Sequence, residues 1–260
     1  MWIFDRDTPF DAGPELWDSW LLGKGGTNLA VAGGRLPVRL VSLPTVGNAV
    51  IRRYFHGGLI APVTRDLFWG CRRVMAELVA SETLRERHVA TPKVLAAYMR
   101  KRGPGLFRAC ILTRYIENGV NLRQWIGETG RNRMQWREML LRVAKAIASL
   151  HEAGCGHRDL NLSNILVTPE RLFILDLDGA RLANPLSRAR RGADLLRLYR
   201  SLRKETGCLE PLSARERLRF LSCYSRLSGA PGDQVRAWLQ RRWRLGRARL
   251  VFSRSRTVVS

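Results

Sequence analysis

Between residues 157 and 179 a run of polar side chains is caught between apolar ones in an order that few folds can accommodate. His157-Arg158-Asp159-Leu160-Asn161-Leu162-Ser163-Asn164 leads into Ile165-Leu166-Val167, a Thr168-Pro169-Glu170 turn and Leu172-Phe173-Ile174-Leu175, after which come Asp176-Leu177-Asp178-Gly179. Two short apolar runs about a Pro-containing turn read as a hairpin of strands. Ahead of them Trp136, Leu140, Val143, Ile147 and Leu150 recur at spacings of 4, 3, 4 and 3, one stripe of an amphipathic helix closed by Gly154. The pattern predicts a helix, a polar loop, a hairpin and an acid. Asn164 follows Asp159 by five positions, and the hairpin returns Asp176 to the neighbourhood of Asn164 after twelve more.

The rest of the chain divides into a β-rich opening and a helical remainder. Residues 16–54 are rich in Gly, Val and Leu, with turn signals at Gly33-Gly34 and Gly47-Asn48, and read as short antiparallel strands. From Phe68 to Arg87 good helix formers run without proline, and the segment stops before Thr91-Pro92. Cys110 to Ile116 is a further strand, ended by the Glu117-Asn118-Gly119 turn, where a connector between lobes fits. Beyond Asp194 the chain turns helical again.

Phosphoryl transfer needs a carboxylate to orient the attacking hydroxyl and take its proton, and oxygen ligands to hold Mg²⁺ on the phosphates of ATP. Asp159 supplies the first; Asn164 and Asp176 supply the second. The loop matches H-R-D-L-x-x-x-N at every fixed position, and His157 to Gly179 resembles the protein-kinase superfamily. Asp176-Leu177-Asp178 departs from D-F-G toward the D-F-D form of the bacterial lipopolysaccharide-core sugar kinases, and the chain looks most like a 3-deoxy-D-manno-octulosonic acid (Kdo) kinase. Further segments carry the likeness: Ile51-Arg52-Arg53-Tyr54 with Gly57-Gly58-Leu59, Met75-Ala76-Glu77-Leu78, Ala90-Thr91-Pro92, Leu112-Thr113, and Leu195-Leu196-Arg197-Leu198 with Arg200-Ser201-Leu202, spanning roughly residues 20–205. The resemblance implies an α+β, bilobal, protein-kinase-like fold. A small antiparallel N-terminal lobe with one helix, residues 1–116, would cover the nucleotide. A larger, mainly helical lobe, residues 117–260, would carry the catalytic loop, metal ligands, acceptor site and a basic C-terminal helix.

The departures from the superfamily pattern are informative. Kinases use a strand-borne lysine, paired with a helix glutamate, to hold the α- and β-phosphates. No lysine stands between Lys24 and Lys93, so Ala49-Val50-Ile51-Arg52 replaces V-A-I-K and Arg52 takes the role, with Glu77 implied as its partner. Arg53 would point to the opposite strand face. Leu22-Gly23-Lys24-Gly25-Gly26-Thr27 offers Gly23, Gly25 and Gly26 as a phosphate-covering loop, although a tight turn has the same sequence. Asp178 reads equally as a further metal or substrate contact and as a turn residue before Gly179. Asp194 reads equally as an acid bracing the catalytic loop and as a helix N-cap.

Fifteen residues lie between Asp178 and Asp194, with no A-P-E sequence. Protein kinases dock polypeptides there, so the shortened segment favours a small-molecule or glycolipid acceptor. Forty-five basic against 22 acidic side chains give a formal charge of +23, and only five of the basic residues are lysine. That excess suits an anionic partner and bidentate phosphate or carboxylate contacts. A Kdo-lipid A acceptor on an anionic inner membrane fits, and Val235 to Arg244 reads either as an interfacial helix or as a helix packed into the larger lobe. An acidic-cleft aminoglycoside-type phosphotransferase fits +23 poorly; a heptose kinase and an inactive kinase-like scaffold stay open. No RNP, zinc-finger or basic-zipper pattern points to nucleic acid. The five cysteines are scattered and read as reduced core thiols. No secretory signal or run of about 18 apolar residues is present, so a peripheral protein on the cytoplasmic face of the inner membrane is expected.

Overall fold

A computed structural model describes residues 2–4, 13–29, 38–55, 66–129, 132–207 and 212–229. The chain forms two compact units, one of residues 1–130 with 162–181 and one of residues 131–161 with 182–260.

The first unit is built on a seven-stranded sheet. Its strands are β1 (Trp2–Phe4), β2 (Thr27–Leu29), β3 (Val38–Leu43), β4 (Gly47–Arg53), β5 (Phe68–Trp69), β6 (Val94–Gly103) and β7 (Leu106–Arg114). They lie antiparallel in the order β1-β6-β7-β4-β3-β2, with β5 also on β7. Period-2 alternation sorts the sheet's side chains into two cores. Ala49 and Ile51 of β4 join Val41, Leu43, Leu95, Cys110 and Leu112 on one face. Ile111, Ala109, Ala97 and Met99 join Tyr54, Phe68 and Val74 on the other.

Helix α1 (Pro14–Leu21) covers the first face with Trp17, Trp20 and Leu21, all buried. The strand-only reading of residues 16–54 is corrected here. Pro14 presets the first helical turn, and the i, i+3, i+4 spacing of the three apolar residues makes one stripe. Trp17 is fully buried, its ring 4.9 Å from that of Trp20 and 5.5 Å from that of Tyr98, and its removal would cost about 3–5 kcal/mol.

Helix α2 (Arg72–Glu86) belongs with the second face, and buries Val74, Glu77, Ser81 and Leu84 at spacings of 3, 4 and 3. It starts four residues later than the sequence predicts, because Phe68 and Trp69 pair with Phe107 and Leu106, and Gly70 then turns the chain at φ +70°. Strand β6 escaped prediction because Leu95 to Met99 are buried without interruption, so no alternation marks them.

The same unit holds β8 (Val120–Asn121), α3 (Leu122–Thr129), a 3₁₀ turn at Leu162–Asn164, and the predicted hairpin as β9 (Ile165–Val167) and β10 (Leu172–Ile174). The hairpin registers Ile165 against Ile174, and β8 lies on the other side of β9.

In the second unit α4 (Arg133–Glu152) is capped by Asn132, whose side chain accepts from the amides of Met134 at 3.0 Å and Gln135 at 3.4 Å. It buries the predicted stripe at Leu140, Val143, Ile147 and Leu150. Helices α5 (Arg188–Thr206) and α6 (Ala214–Leu227) are the other helices among its described residues, α6 opening on a Ser213/Glu216 capping box. Among the described residues no helix is long and apolar enough to cross a membrane.

Candidate active site

In the first unit the strand parity that sends Ala49 and Ile51 one way sends Arg52 and Tyr54 the other, to the side of Glu77. Arg52 Nη2 donates to Glu77 Oε1 and Tyr54 Oη donates to Glu77 Oε2 at 2.6 Å, so each carboxylate oxygen has a donor. Glu77 is 5% exposed, and a carboxylate this deep needs such pairing. The second arm of Arg52 lies 3.4 Å from Asp176 Oδ1. Burial drives the Arg52 guanidinium toward a lower pKa, but Glu77, Asp176 and Tyr54 outweigh it and hold the value well above the ordinary one. Burial, then Glu77, pushes the Tyr54 phenol well up, so it stays protonated and able to donate.

Arg53 sits on the opposite face, 3.3 Å from Asp66 Oδ2, which Arg108 Nε also approaches at 2.9 Å.

The hairpin register brings the two candidate metal ligands together. Asn164 precedes β9 and Leu175 follows β10, and the Leu175 amide donates to the Asn164 carbonyl at 2.9 Å. Asp176 is the next residue, at φ +56°, a left-handed conformation that aspartate tolerates at some cost and that re-aims its carboxylate. Thr91 Oγ1 donates to the Ile174 carbonyl at 3.0 Å, and the Ile174 amide donates to the Ala90 carbonyl at 2.9 Å, so the Ala90-Thr91-Pro92 segment pins the strand that delivers Asp176. Asp176 Oδ1 is shut off from solvent and, beside the ion pair with Arg52 at 3.4 Å, accepts no hydrogen bond from a described residue. An anionic oxygen left in that state beside an amide-bearing residue suits a hard cation that completes its shell with phosphate and water. No cluster of three or more His, Cys, Asp or Glu among the described residues offers a protein-only metal cage.

Asp178 is neither a bare turn residue nor an open ligand. Arg73 Nε donates to its Oδ1 at 2.6 Å and Arg73 Nη2 donates to its Oδ2. Arg73 stands one helical turn before Glu77, and its Nη1 also donates to the Phe55 carbonyl at 3.2 Å.

The glycine loop joins α1 to β2. The Gly23 amide donates to the Trp20 carbonyl at 2.9 Å and the Lys24 amide to the Ser19 carbonyl at 2.8 Å, a Schellman cap. A Cβ on Gly26 would stand 2.4 Å from the Leu40 carbonyl oxygen. Arg39 of β3 donates to the carbonyls of Gly23 and, at 2.9 Å, Gly26. Gly33, Gly34, Gly57, Gly58 and the basic segment from Val235 to Arg244 lie outside the described residues.

In the second unit the start of the candidate catalytic loop, at His157, hangs on Asp194. This acid is 1% exposed and stands in the second turn of α5, whose N-cap is Ser187, so the N-cap reading of Asp194 is corrected. Asp194 Oδ2 accepts from the His157 amide at 2.8 Å, and His151 Nε2 approaches the same oxygen at 3.5 Å. The Asp159 amide donates to His157 Nδ1 at 3.1 Å. Asp159 itself is exposed, its Oδ2 accepting from Asn161 Nδ2 at 3.1 Å and its Oδ1 lying 3.7 Å from Arg197 Nη1.

The sequence reading gave no role to Arg73, Tyr54, Arg39 or Arg197. The signals for two of them were present: Tyr54 is two residues from Arg52 on a strand, and Arg73 is four from Glu77 on a helix.

The family model for the lipopolysaccharide kinase (Kdo/WaaP) family matches residues 36–224. The chain belongs to this family. A 3-deoxy-D-manno-octulosonic acid kinase of Xanthomonas axonopodis pv. citri is 33% identical over 210 residues, covering 79% of this chain and 81% of the relative. One from Vibrio vulnificus is 32% identical over 152 residues, 56% of this chain and 62% of that protein. Among solved structures, WaaP in complex with acyl carrier protein shares the fold, with a TM-score of 0.60 at 23% identity over 93% of this chain and 97% of that one. The fold is thus that of a protein-kinase-like α+β enzyme. As a lipopolysaccharide kinase the chain is a phosphotransferase that uses ATP and acts on a sugar hydroxyl.

Proposed function

We propose that this lipopolysaccharide kinase phosphorylates a Kdo hydroxyl on a Kdo-lipid A-like acceptor, with Mg²⁺ as cofactor. Arg52, held by Glu77 and reaching Asp176, carries this reading, because it links a phosphate-holding cation to a metal-ligand carboxylate as the transfer of a phosphoryl group requires. Asn164 and Asp176 would hold the ion. Mg²⁺ bound with ATP would neutralise charge on the transferring phosphate. Arg52 binds the α- and β-phosphates, and its fixed positive charge stays where negative charge is greatest. Of the glycine loop, the amides of Gly25 and Gly26 would cover the phosphates, the Gly23 amide being engaged in the helix cap.

Asp159 is the base that orients the acceptor hydroxyl and takes its proton at a carboxylate oxygen. Arg197 beside it, with exposed Arg200 and Lys204 continuing along the same face of α5, supports an anionic acceptor. The relatives named as Kdo kinases support Kdo as that acceptor. We retain a nucleotide-covering lobe of residues 1–116 and an acceptor-binding lobe of residues 117–260, and place the enzyme peripherally on the anionic cytoplasmic face of the inner membrane, with the net charge of +23 supporting that contact.

The test is ATP-dependent transfer by the purified chain to Kdo-lipid A and to the same lipid A lacking Kdo, read as ADP release and the mass of one added phosphate. Transfer confined to the Kdo-bearing acceptor is expected. Equal transfer to both would overturn the assignment of Kdo.

A further inference from the structure

Asp178 invites a role as a second metal carboxylate, since it lies two residues from Asp176. Its geometry says otherwise. Both oxygens are taken by one guanidinium in a fork-to-fork pair, the arrangement in which arginine binds carboxylate most firmly and with most directional control. The pair is only partly open to solvent, with 35% of the Arg73 side chain and 17% of the Asp178 side chain exposed. Arg73 is further fixed by the Phe55 carbonyl and by the Phe68 ring, whose centroid is 4.6 Å from its Cζ.

These contacts close a circuit. Helix α2 presents Arg73 and Glu77 one turn apart on one side; Glu77 holds Arg52, Arg52 reaches Asp176, and Asp178 returns the chain to Arg73. Between the two carboxylates the loop is tight, Asp176 at φ +56° and the Ala180 amide donating to the Leu177 carbonyl at 2.9 Å. The orientation of Asp176 is therefore fixed from both ends. Any slide of α2 along its axis displaces Arg73 and Glu77 together.

We propose that Arg73 and Asp178 are a positioning pair that sets the carboxylate of Asp176 for its cation, and that Asp178 is not itself a metal ligand. The inference rests on the phosphotransfer reading given above.

Isothermal titration of Mg-ATP into the full chain tests it with Arg73→Met, Asp178→Asn, their double variant, and the charge exchange Arg73→Asp with Asp178→Arg. Each single change should weaken Mg-ATP binding roughly ten-fold, the range found when groups that orient a metal ligand are removed. The double variant should be no weaker than either single one, and the charge exchange should recover most of the affinity. Melting curves and Arg73→Lys, which keeps one donor, guard against loss of fold. If Asp178→Asn weakens binding while Arg73→Met leaves it at the wild-type value, Asp178 is a ligand and the proposal fails. Additive losses, or wild-type affinity in both single variants, overturn it as well. A wild-type chain that binds no Mg-ATP at all would sink the phosphotransfer reading first, and the pair's role with it.

Discussion

Arg52 and Arg53 are neighbours in sequence and opposites in surroundings, one turned to Glu77 and Asp176, the other to Asp66. Arg52→Ala should cut turnover by at least about 100-fold, since it removes the group proposed to hold the phosphates, whereas Arg53→Ala should leave more than about a third of it and act mainly on melting temperature. Arg52→Lys should be intermediate, because an ammonium cannot reach Glu77 and Asp176 with two separate arms. Steady-state kinetics of the three variants with ADP release as the readout decides this; a dead Arg53→Ala beside an active Arg52→Ala would withdraw Arg52 from the phosphates. Asp159→Ala should lose about 10²–10⁴-fold in turnover with melting unchanged, its carboxylate being exposed and not part of any core. The sequence already marks Asp159, Asn164, Asp176 and Arg52 as candidates, because motif spacing and strand parity are one-dimensional properties. Arg73 was hidden because its partner stands 105 residues away, and no local pattern announces a pairing of that range.

At the level of elements, the strongly periodic ones were readable and the fully buried or very short ones were not. Helix α4 and the β9–β10 hairpin follow from their apolar spacing, while β6, buried on both faces, carries no period. In the last turn of helix α4 His151 is enclosed by Tyr224, whose hydroxyl is 2.7 Å from Nδ1, and by Asp194, with Glu152 and Arg191 nearby. Burial lowers its pKa against the opposing pull of Asp194. Because the folded value lies below the unfolded one, the unfolded chain binds more protons as pH falls, so the contribution is complete above about pH 6.5 and is lost below it. The melting temperature should drop between about pH 7.5 and 5.5, and His151→Gln should flatten that dependence. An unchanged slope in the variant would show that other groups govern the acid limb. Burial also pushes the thiols of Cys110 and Cys155 up to about 12, so neither should react with iodoacetamide at neutral pH until the chain is unfolded.

For the whole molecule the dominant quantity is charge. A net +23 should give binding to anionic phospholipid vesicles that weakens steeply between about 50 and 300 mM salt, as screening shortens the reach of the arginines. Co-sedimentation across that range, with neutral vesicles as the control, checks it; binding that ignores both salt and lipid charge would remove the electrostatic account.

The division of the chain into compact units has a consequence for its biosynthesis. The first unit takes residues 1–130 and then 162–181, with the β9–β10 hairpin in the second portion. Strand β8 must therefore wait for β9, and Thr91 for the Ile174 carbonyl, until the intervening stretch has been translated. At about 5–20 residues per second the 83 positions from Thr91 to Ile174 take about 4–17 s, long compared with the folding of a small domain. A truncated gene product ending near residue 130 would expose β8 and the Ala90-Thr91 segment without their partners, and Arg52 and Arg73 meet Asp176 and Asp178 only when the ribosome has passed Asp178.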